Sequence, residues 1–317
     1  MKPTGIKWAL NTLQDLGYSI CNTTPKTILK TPWSCVYCFD TDQGQCYLKQ
    51  VPPSLYFEVR IINALREIFK ASVPALIAIN SEQHCFLMQD AGIQLREFFK
   101  SGVFNPDILV KAVHTYIAIQ RASHDHLPFF LSIGVTDWRL TQIPNYYQEL
   151  IHQEELLTAD GLTKVEISQL SQLNTKLIAL CEQLSAYPIP PTFSHSDFND
   201  KNMLIHPQTK QITLVDLGEV EVTHPFFSLQ NLLHHIKENY PLKDEAYQSL
   251  EQEILQPWLD LVSQEQLSKI MFLIQQCWSI HRALTVYRLL TSIDSNSSLQ
   301  LLGQGKLAKN LKIWLTK

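Results

Sequence analysis

An α+β fold, with an antiparallel sheet of about five strands over residues 1–90 and a largely helical remainder, follows from three observations on the sequence. Short apolar runs with strand-like alternation recur up to Met88. Beyond Gly92 the apolar spacing changes to the 3.6-residue period of helices. Asp90-Ala-Gly92 punctuates the change, so the boundary between a sheet-rich lobe (1–90) and a helical lobe (91–317) is set there.

Taken in order, the amphipathic run through Ile6, Ala9, Leu10 and Leu13 predicts an opening helix. Strands are expected over 27–30, 35–40 and 45–51, with Asp42-Gln-Gly44 as the hairpin turn between the last two. The double breaker Pro52-Pro53 ends the strands, and Phe57, Ile61, Ile62, Leu65 and Ile68 fall at helical spacing over 55–69. Two more strands follow over 75–79 and 85–88. In the helical lobe, Asn105-Pro106-Asp107 and the capping box Thr163-Lys-Val-Glu166 start helices. The exception is 192–222, where 203–205 and 212–215 read as strands joined by the turn His206-Pro-Gln-Thr209. Helices are then expected over 229–236, 254–261, 270–290 and 301–315.

Bulk properties narrow the function. With 45% apolar and 18% charged residues, the chain has the composition of a globular protein. A formal charge of −4 and a pI near 6.3 provide no global attraction to polyphosphate, so nucleic acid is not an expected partner. The lysines at 306, 309, 312 and 317 alternate with apolar residues as one solvated helix face, and no apolar run reaches the roughly 20 residues of a bilayer span. No membrane partner is expected. The seven cysteines are odd in number and lack a disulfide-rich spacing, which points to a reducing compartment and the cytoplasm. Cys35-x-x-Cys38 has no second pair to complete a zinc site and reads as structural, on a strand. A monomer or homodimer is expected.

The chemistry concentrates in Ser194-His-Ser-Asp-Phe-Asn-Asp-Lys-Asn-Met-Leu204, followed by the apolar strand Ile212-Thr-Leu-Val and Asp216-Leu-Gly218. Phosphoryl transfer requires one carboxylate that orients or deprotonates the accepting hydroxyl, and oxygen ligands that hold Mg²⁺ against the nucleotide phosphates. Asp197 suits the first role; Asn202 and Asp216 suit the second. His195, two residues before the carboxylate, is expected to brace the loop rather than to move protons. Asp200, in the same loop, competes with Asp197 for the catalytic role. A cation over the phosphates is also needed, and Lys49 lies on an apolar strand, with Glu58 nine residues on in the first turns of the helix that follows. The loop Thr31-Pro-Trp-Ser34 occupies the place of a phosphate-covering loop, where Ser34 can donate hydrogen bonds, although no glycine is present.

On these residues the sequence resembles the aminoglycoside phosphotransferase and choline kinase superfamily, the small-molecule branch of protein-kinase-like enzymes. The resemblance rests on Lys49, Glu58, Leu87-Met-Gln-Asp-Ala-Gly92 as a hinge, His195 to Leu204, and Val215 to Gly218; Ile119 to Ser123, Gly134 to Leu140 and His224 to Leu229 add to it. It implies a two-lobed protein-kinase-like fold that uses ATP and Mg²⁺, with backbone groups around Gln89, Asp90 and Ala91 holding adenine. The implied acceptor is a hydroxyl of a small molecule, aminoglycoside-like, amino-alcohol or sugar-like. Leu217 stands where many relatives carry an aromatic residue, and Ser228 where they carry an aspartate that buttresses the catalytic loop. A nucleotide-binding regulatory protein with little turnover is the alternative. Trp138, Arg139, Trp258, Trp278, Tyr287 and Arg288 are candidates for an acceptor pocket, against the plainer reading of aromatic core with snorkelling arginines. His124 and His126 are assigned no site.

Overall fold

The computed structural model describes residues 5–293 and 304–317. Its contacts divide the chain into two compact units. One runs to Phe98 and takes in Lys201–Gly218; the other takes in Phe99–Asp200, Glu219–Thr291 and the C-terminal helix.

In the first unit, β1 (Lys26–Lys30), β2 (Cys35–Thr41), β3 (Gly44–Gln50), β4 (Leu76–Asn80) and β5 (Cys85–Gln89) form the expected antiparallel sheet, in the order β1-β2-β3-β5-β4. Gly44, at φ +104°, turns β2 into β3. The helix α1 (Gly5–Asp15) lays Ala9 and Leu13 on a sheet face made by Phe39, Leu48, Cys85 and Leu87. Each large side chain so buried contributes roughly 1.5–3 kcal/mol. The helix α2 (Glu58–Glu67) buries Val59, Ile61, Ile62 and Leu65. It also buries the carboxylate of Glu58, a cost that nothing in its apolar periodicity explains.

A smaller sheet completes this unit. The strand β6 (Ile93–Gln94) pairs with β9 (Met203–Ile205), which pairs in turn with β10 (Ile212–Leu214). The approach at Gly92 is close: a Cβ there would lie 2.4 Å from the Ile205 carbonyl oxygen, and the residue adopts φ +111°.

In the second unit, β7 (Thr136–Asp137), β8 (Thr192–His195) and β11 (Val220–Thr223) form a sheet in the order β7-β11-β8, with β8 and β11 wholly buried. Its helices, after the short α3 (Leu95–Lys100), are α4 (Pro106–Ser123), α5 (Leu127–Ser132), α6 (Ile143–Ile151), α7 (Glu154–Ala159), α8 (Lys164–Gln172), α9 (Asn174–Ser185), α10 (Phe226–Asn239), α11 (Asp244–Leu255), α12 (Gln264–Ser292) and α13 (Lys306–Leu315). Asn105 and the Thr163/Glu166 box cap α4 and α8 as their sequences predict. The helix expected over 254–261 instead ends at Leu255 and continues as a 3₁₀ turn, Gln256–Trp258, because Pro257 has no N–H to carry the α pattern onward. Of the helix expected over 301–315, residues 301–303 lie outside the described residues. Among the described residues no helix is long and apolar enough to cross a membrane.

Candidate active site

In the first unit, Lys49 on β3 and Glu58 at the start of α2 form the ion pair that their sequence positions suggest, with Nζ donating to Oε1 at 2.8 Å. The same Nζ donates to Asp216 Oδ1 at 2.6 Å. Glu58 Oε1 also accepts the Leu217 N–H at 3.0 Å, so one carboxylate oxygen fixes both the lysine and the backbone just past Asp216. Burial by itself pulls the Lys49 ammonium down, but the carboxylates of Asp216 and Glu58 more than offset it and hold its pKa above the ordinary lysine value. Burial pushes the Glu58 carboxyl up, against the pull of Lys49.

Gly218 matters here for space: a Cβ would come within 3.2 Å of Glu58 Oε2. Asp216 adopts φ +62°, a left-handed conformation that non-glycine residues rarely take. Its side chain is 35% exposed, whereas those of Lys49 and Glu58 are 6% and 2% exposed. The triad therefore presents one carboxylate outward from a buried cation. Asn202 belongs to the same unit, and its carbonyl accepts the Val215 N–H at 3.1 Å, which ties it to the residue before Asp216. A carboxylate and an amide oxygen are hard donors that fit a divalent cation such as Mg²⁺.

Ser34 ends the β1–β2 turn, which is closed by Thr31 N–H to Ser34 O at 2.8 Å and Ser34 N–H to Thr31 Oγ1 at 2.9 Å. Its own hydroxyl is buried and has no hydrogen-bond partner among the described residues. At the hinge, the Gln89 N–H donates to Ala75 O and the Asp90 N–H to Gln45 O, while Asp90 Oδ1 accepts from Gly92 N–H. The Asp90 carboxylate thus shapes the turn that leads through Ala91 into Gly92.

In the second unit the segment from His195 to Asp200 is braced from several sides. The His195 N–H donates to Tyr116 Oη at 2.8 Å and to Ser228 Oγ at 3.1 Å, and Tyr116 Oη donates to Ser228 Oγ at 2.9 Å. The serine at this position still buttresses the loop, working together with a buried tyrosine. His195 Nδ1 accepts the Asp197 N–H at 3.2 Å, which ties the ring to the loop backbone and places its ring proton on Nε2. Asn231 on α10 donates to Phe198 O.

The two loop aspartates separate clearly. Asp200 is 2% exposed and accepts a hydrogen bond from Tyr240 Oη, whereas the Asp197 side chain is 36% exposed. Of the two, Asp197 is the one with its carboxylate part-exposed.

Behind Asp197 lies a cluster that the sequence did not single out as a unit. Glu221, fully buried on β11, meets Arg288 at 3.3 Å and His281 at 3.2 Å. Arg288 also donates to Ser196 Oγ at 2.7 Å and Val220 O at 3.1 Å, and its guanidinium lies 4.6 Å from the Trp138 ring centroid. The available signal was a glutamate between two valines in Val220-Glu-Val222, which marks a charge inside a buried strand. Of the acceptor-pocket candidates, Trp138 and Arg288 come together in this cluster, Arg139 is ion-paired with Asp137, and Trp258 is core beneath Arg121. Trp278 stands edge-on to His234. His124 Nδ1 is engaged by the Pro191 carbonyl.

Comparison with known proteins follows the same lines. A family model described as the phosphotransferase enzyme family matches residues 32–258. Among solved structures, the chain is similar to an ethanolamine kinase of Plasmodium vivax, with TM-score 0.60 and 13% identity over 90% of this chain and 82% of that one. It is similar to an aminoglycoside phosphotransferase of Streptomyces rimosus in complex with ADP and streptomycin, with TM-score 0.53 and 14% identity over 86% and 97% of the two chains. An amicoumacin kinase in complex with AMP-PNP and Ca²⁺ gives TM-score 0.55 and 14% identity over 98% and 93%. At such identities the likeness is one of fold. No curated protein sequence matches the chain significantly.

Proposed function

Because the chain belongs to the phosphotransferase enzyme family, we propose that it transfers the γ-phosphoryl group of MgATP to a hydroxyl of a small molecule. The observation that carries this reading is the buried Lys49 held between Glu58 and Asp216, with Asp216 left part-exposed. A cation desolvated at that cost is suited to nucleotide phosphates, and Glu58 keeps it in place when Asp216 turns to other partners. Asp216 and Asn202 are the residues that would hold Mg²⁺, and the ion would supply charge that offsets that of the phosphate oxygens. Ser34 would donate its hydroxyl to a phosphate, a role supported by the lack of a partner for that hydroxyl among the described residues, and the backbone of Gln89 to Ala91 would hold adenine.

Asp197 orients the acceptor hydroxyl and takes its proton as the oxygen bonds to the γ-phosphorus. The bond from that phosphorus to the bridging oxygen breaks, and ADP leaves with the electron pair. His195, Ser228 and Tyr116 hold the loop so that little of this positioning has to be found during the reaction. The cytoplasm is the proposed setting, supported by seven free cysteines, six of them buried.

The test is a pair of variants. Asp197→Asn should keep MgATP affinity while lowering turnover by roughly a hundredfold or more. Asp216→Ala should remove the Mg²⁺-dependent part of nucleotide binding. Calorimetric titration of MgATP with a parallel ADP-release assay separates the two, and normal turnover by Asp197→Asn would overturn the assignment.

A further inference from the structure

Asp197 does not face its substrate side alone. Arg282, on α12, places Nη1 3.8 Å from Asp197 Oδ1, with the two side chains 26% and 36% exposed, and also reaches Ser196 O at 3.5 Å. A pair that long and that solvated adds little to stability, so stability does not account for the guanidinium. Nor is it needed to neutralise the buried charge behind it, since Glu221 is already matched by Arg288 and His281.

Beyond Arg288 and His281, which answer Glu221, the nearby helices carry further cations. From Gln276 to Ser292, α12 adds Arg282 and no acidic residue, and α13 carries Lys306, Lys309 and Lys312, the last paired with Glu166 at 3.4 Å. His234 on α10 senses this. Burial pulls its imidazole down, Glu238 pushes it back, and Arg282 and Lys309 pull it down again, which places both cations within electrostatic reach of one ring. Glu238 itself is occupied by His234 at 3.1 Å. A polycationic acceptor would have to compete with Arg282 for the very carboxylate that must receive its hydroxyl.

We propose that Arg282 is an acceptor-recognition residue and that the acceptor is a 2- or 3-hydroxycarboxylate, its hydroxyl on Asp197 and its carboxylate on the Arg282 guanidinium. This rests on the kinase reading above. The spacing admits the class: a 2- or 3-hydroxycarboxylate carries its hydroxyl and carboxylate oxygens two or three carbons apart, a span that allows one hydrogen bond of about 2.7–2.9 Å to each member of a pair 3.8 Å apart. The planar fork of arginine matches a carboxylate better than a lysine would.

The experiment measures ADP release by the full chain with glycerate, L-serine, tartrate and 3-hydroxybutyrate, each beside the alcohol that lacks its carboxylate, and with glycerol 3-phosphate and kanamycin. MgATP titrations and thermal melts accompany every variant. In the wild type, kcat/KM for at least one hydroxycarboxylate should exceed that of its uncharged partner roughly tenfold or more, the effect of one charge-assisted contact. Arg282→Gln should bring that ratio to within about twofold of one, chiefly through KM, and Arg282→Lys, which keeps the charge without the fork, should fall between. Arg282→Lys also carries the test should the glutamine variant melt early. A preference for kanamycin or for glycerol 3-phosphate, uptake of no hydroxycarboxylate by a chain that binds MgATP, or a ratio untouched by both substitutions would overturn the assignment. Failure of the wild type to bind MgATP would instead overturn the kinase reading beneath it.

Discussion

Lys49 shows how much of this site depends on single buried charges. Its ammonium is committed to two carboxylates, one of them fully buried, so removing it strands Glu58 without a counter-charge in a low-dielectric setting. Lys49→Met should therefore lower the free energy of unfolding by about 3 kcal/mol or more as well as abolish MgATP binding, measured by urea unfolding and calorimetry. Glu58→Gln keeps an acceptor for the Leu217 N–H and nearly the same volume, and should cost less than Lys49→Met in the same assay. At the opposite extreme, the pair between Lys269 and Glu265 on the exposed face of α12 is of a kind that contributes little, and Lys269→Ala should leave the unfolding midpoint nearly unmoved.

At the scale of elements, the junction of β5, β6 and the β9–β10 hairpin is set by one glycine. Gly92 needs its positive φ and also the room that a missing Cβ leaves at the Ile205 carbonyl. Gly44 also has a positive φ, +104°, but nothing lies within 4 Å of where its Cβ would stand. Gly44→Ala should thus show backbone strain alone, roughly 1 kcal/mol, while Gly92→Ala adds a backbone clash and should destabilise by distinctly more, roughly 2–4 kcal/mol. Parallel thermal melts of the two variants check the difference. Equal losses would mean that the β6–β9 pairing yields easily. The helical elements depend on more local rules, and for that reason their starts at Asn105 and Thr163 were legible in the sequence, while α11 ends at Leu255, two residues before Pro257 and short of the apolar pattern.

For the whole molecule, acid stability should carry the mark of His224. Its ring is wholly buried against the edges of Phe226 and Phe227, Nδ1 accepts the Phe226 N–H, and burial lowers its pKa from 6.5 to about 3. The unfolded chain takes up this proton below pH 6.5 while the folded one refuses it until about pH 3. The unfolded state therefore binds more protons across that window, and stability falls as pH falls, by up to roughly 1.4 kcal/mol per pH unit from this group. Urea unfolding at pH 7, 6 and 5 should show the decline. His224→Phe should flatten it, whatever the variant's stability at pH 7.

What the sequence determined by itself is what local pattern can encode. Period-two and period-3.6 spacing separated the sheet from the helices near Gly92, and the fixed offsets from His195 to Asn202 and on to Asp216 are what suggested phosphoryl transfer, because a turn and a short hairpin leave few ways to arrange them. Lys49 and Glu58 were legible for the same reason, nine residues apart on adjacent elements. Other features rest on contacts between residues far apart in the chain, which no local spacing records. Tertiary structure alone decided that Asp200 is buried under Tyr240 while Asp197 stays part-exposed, that Ser228 meets both Tyr116 and the His195 N–H, and that Glu221 joins Arg288 and His281 across more than fifty residues. It alone brought Arg282 to Asp197. A charged side chain on a helix reads the same in sequence whether it meets water or a carboxylate, and only packing tells the two apart.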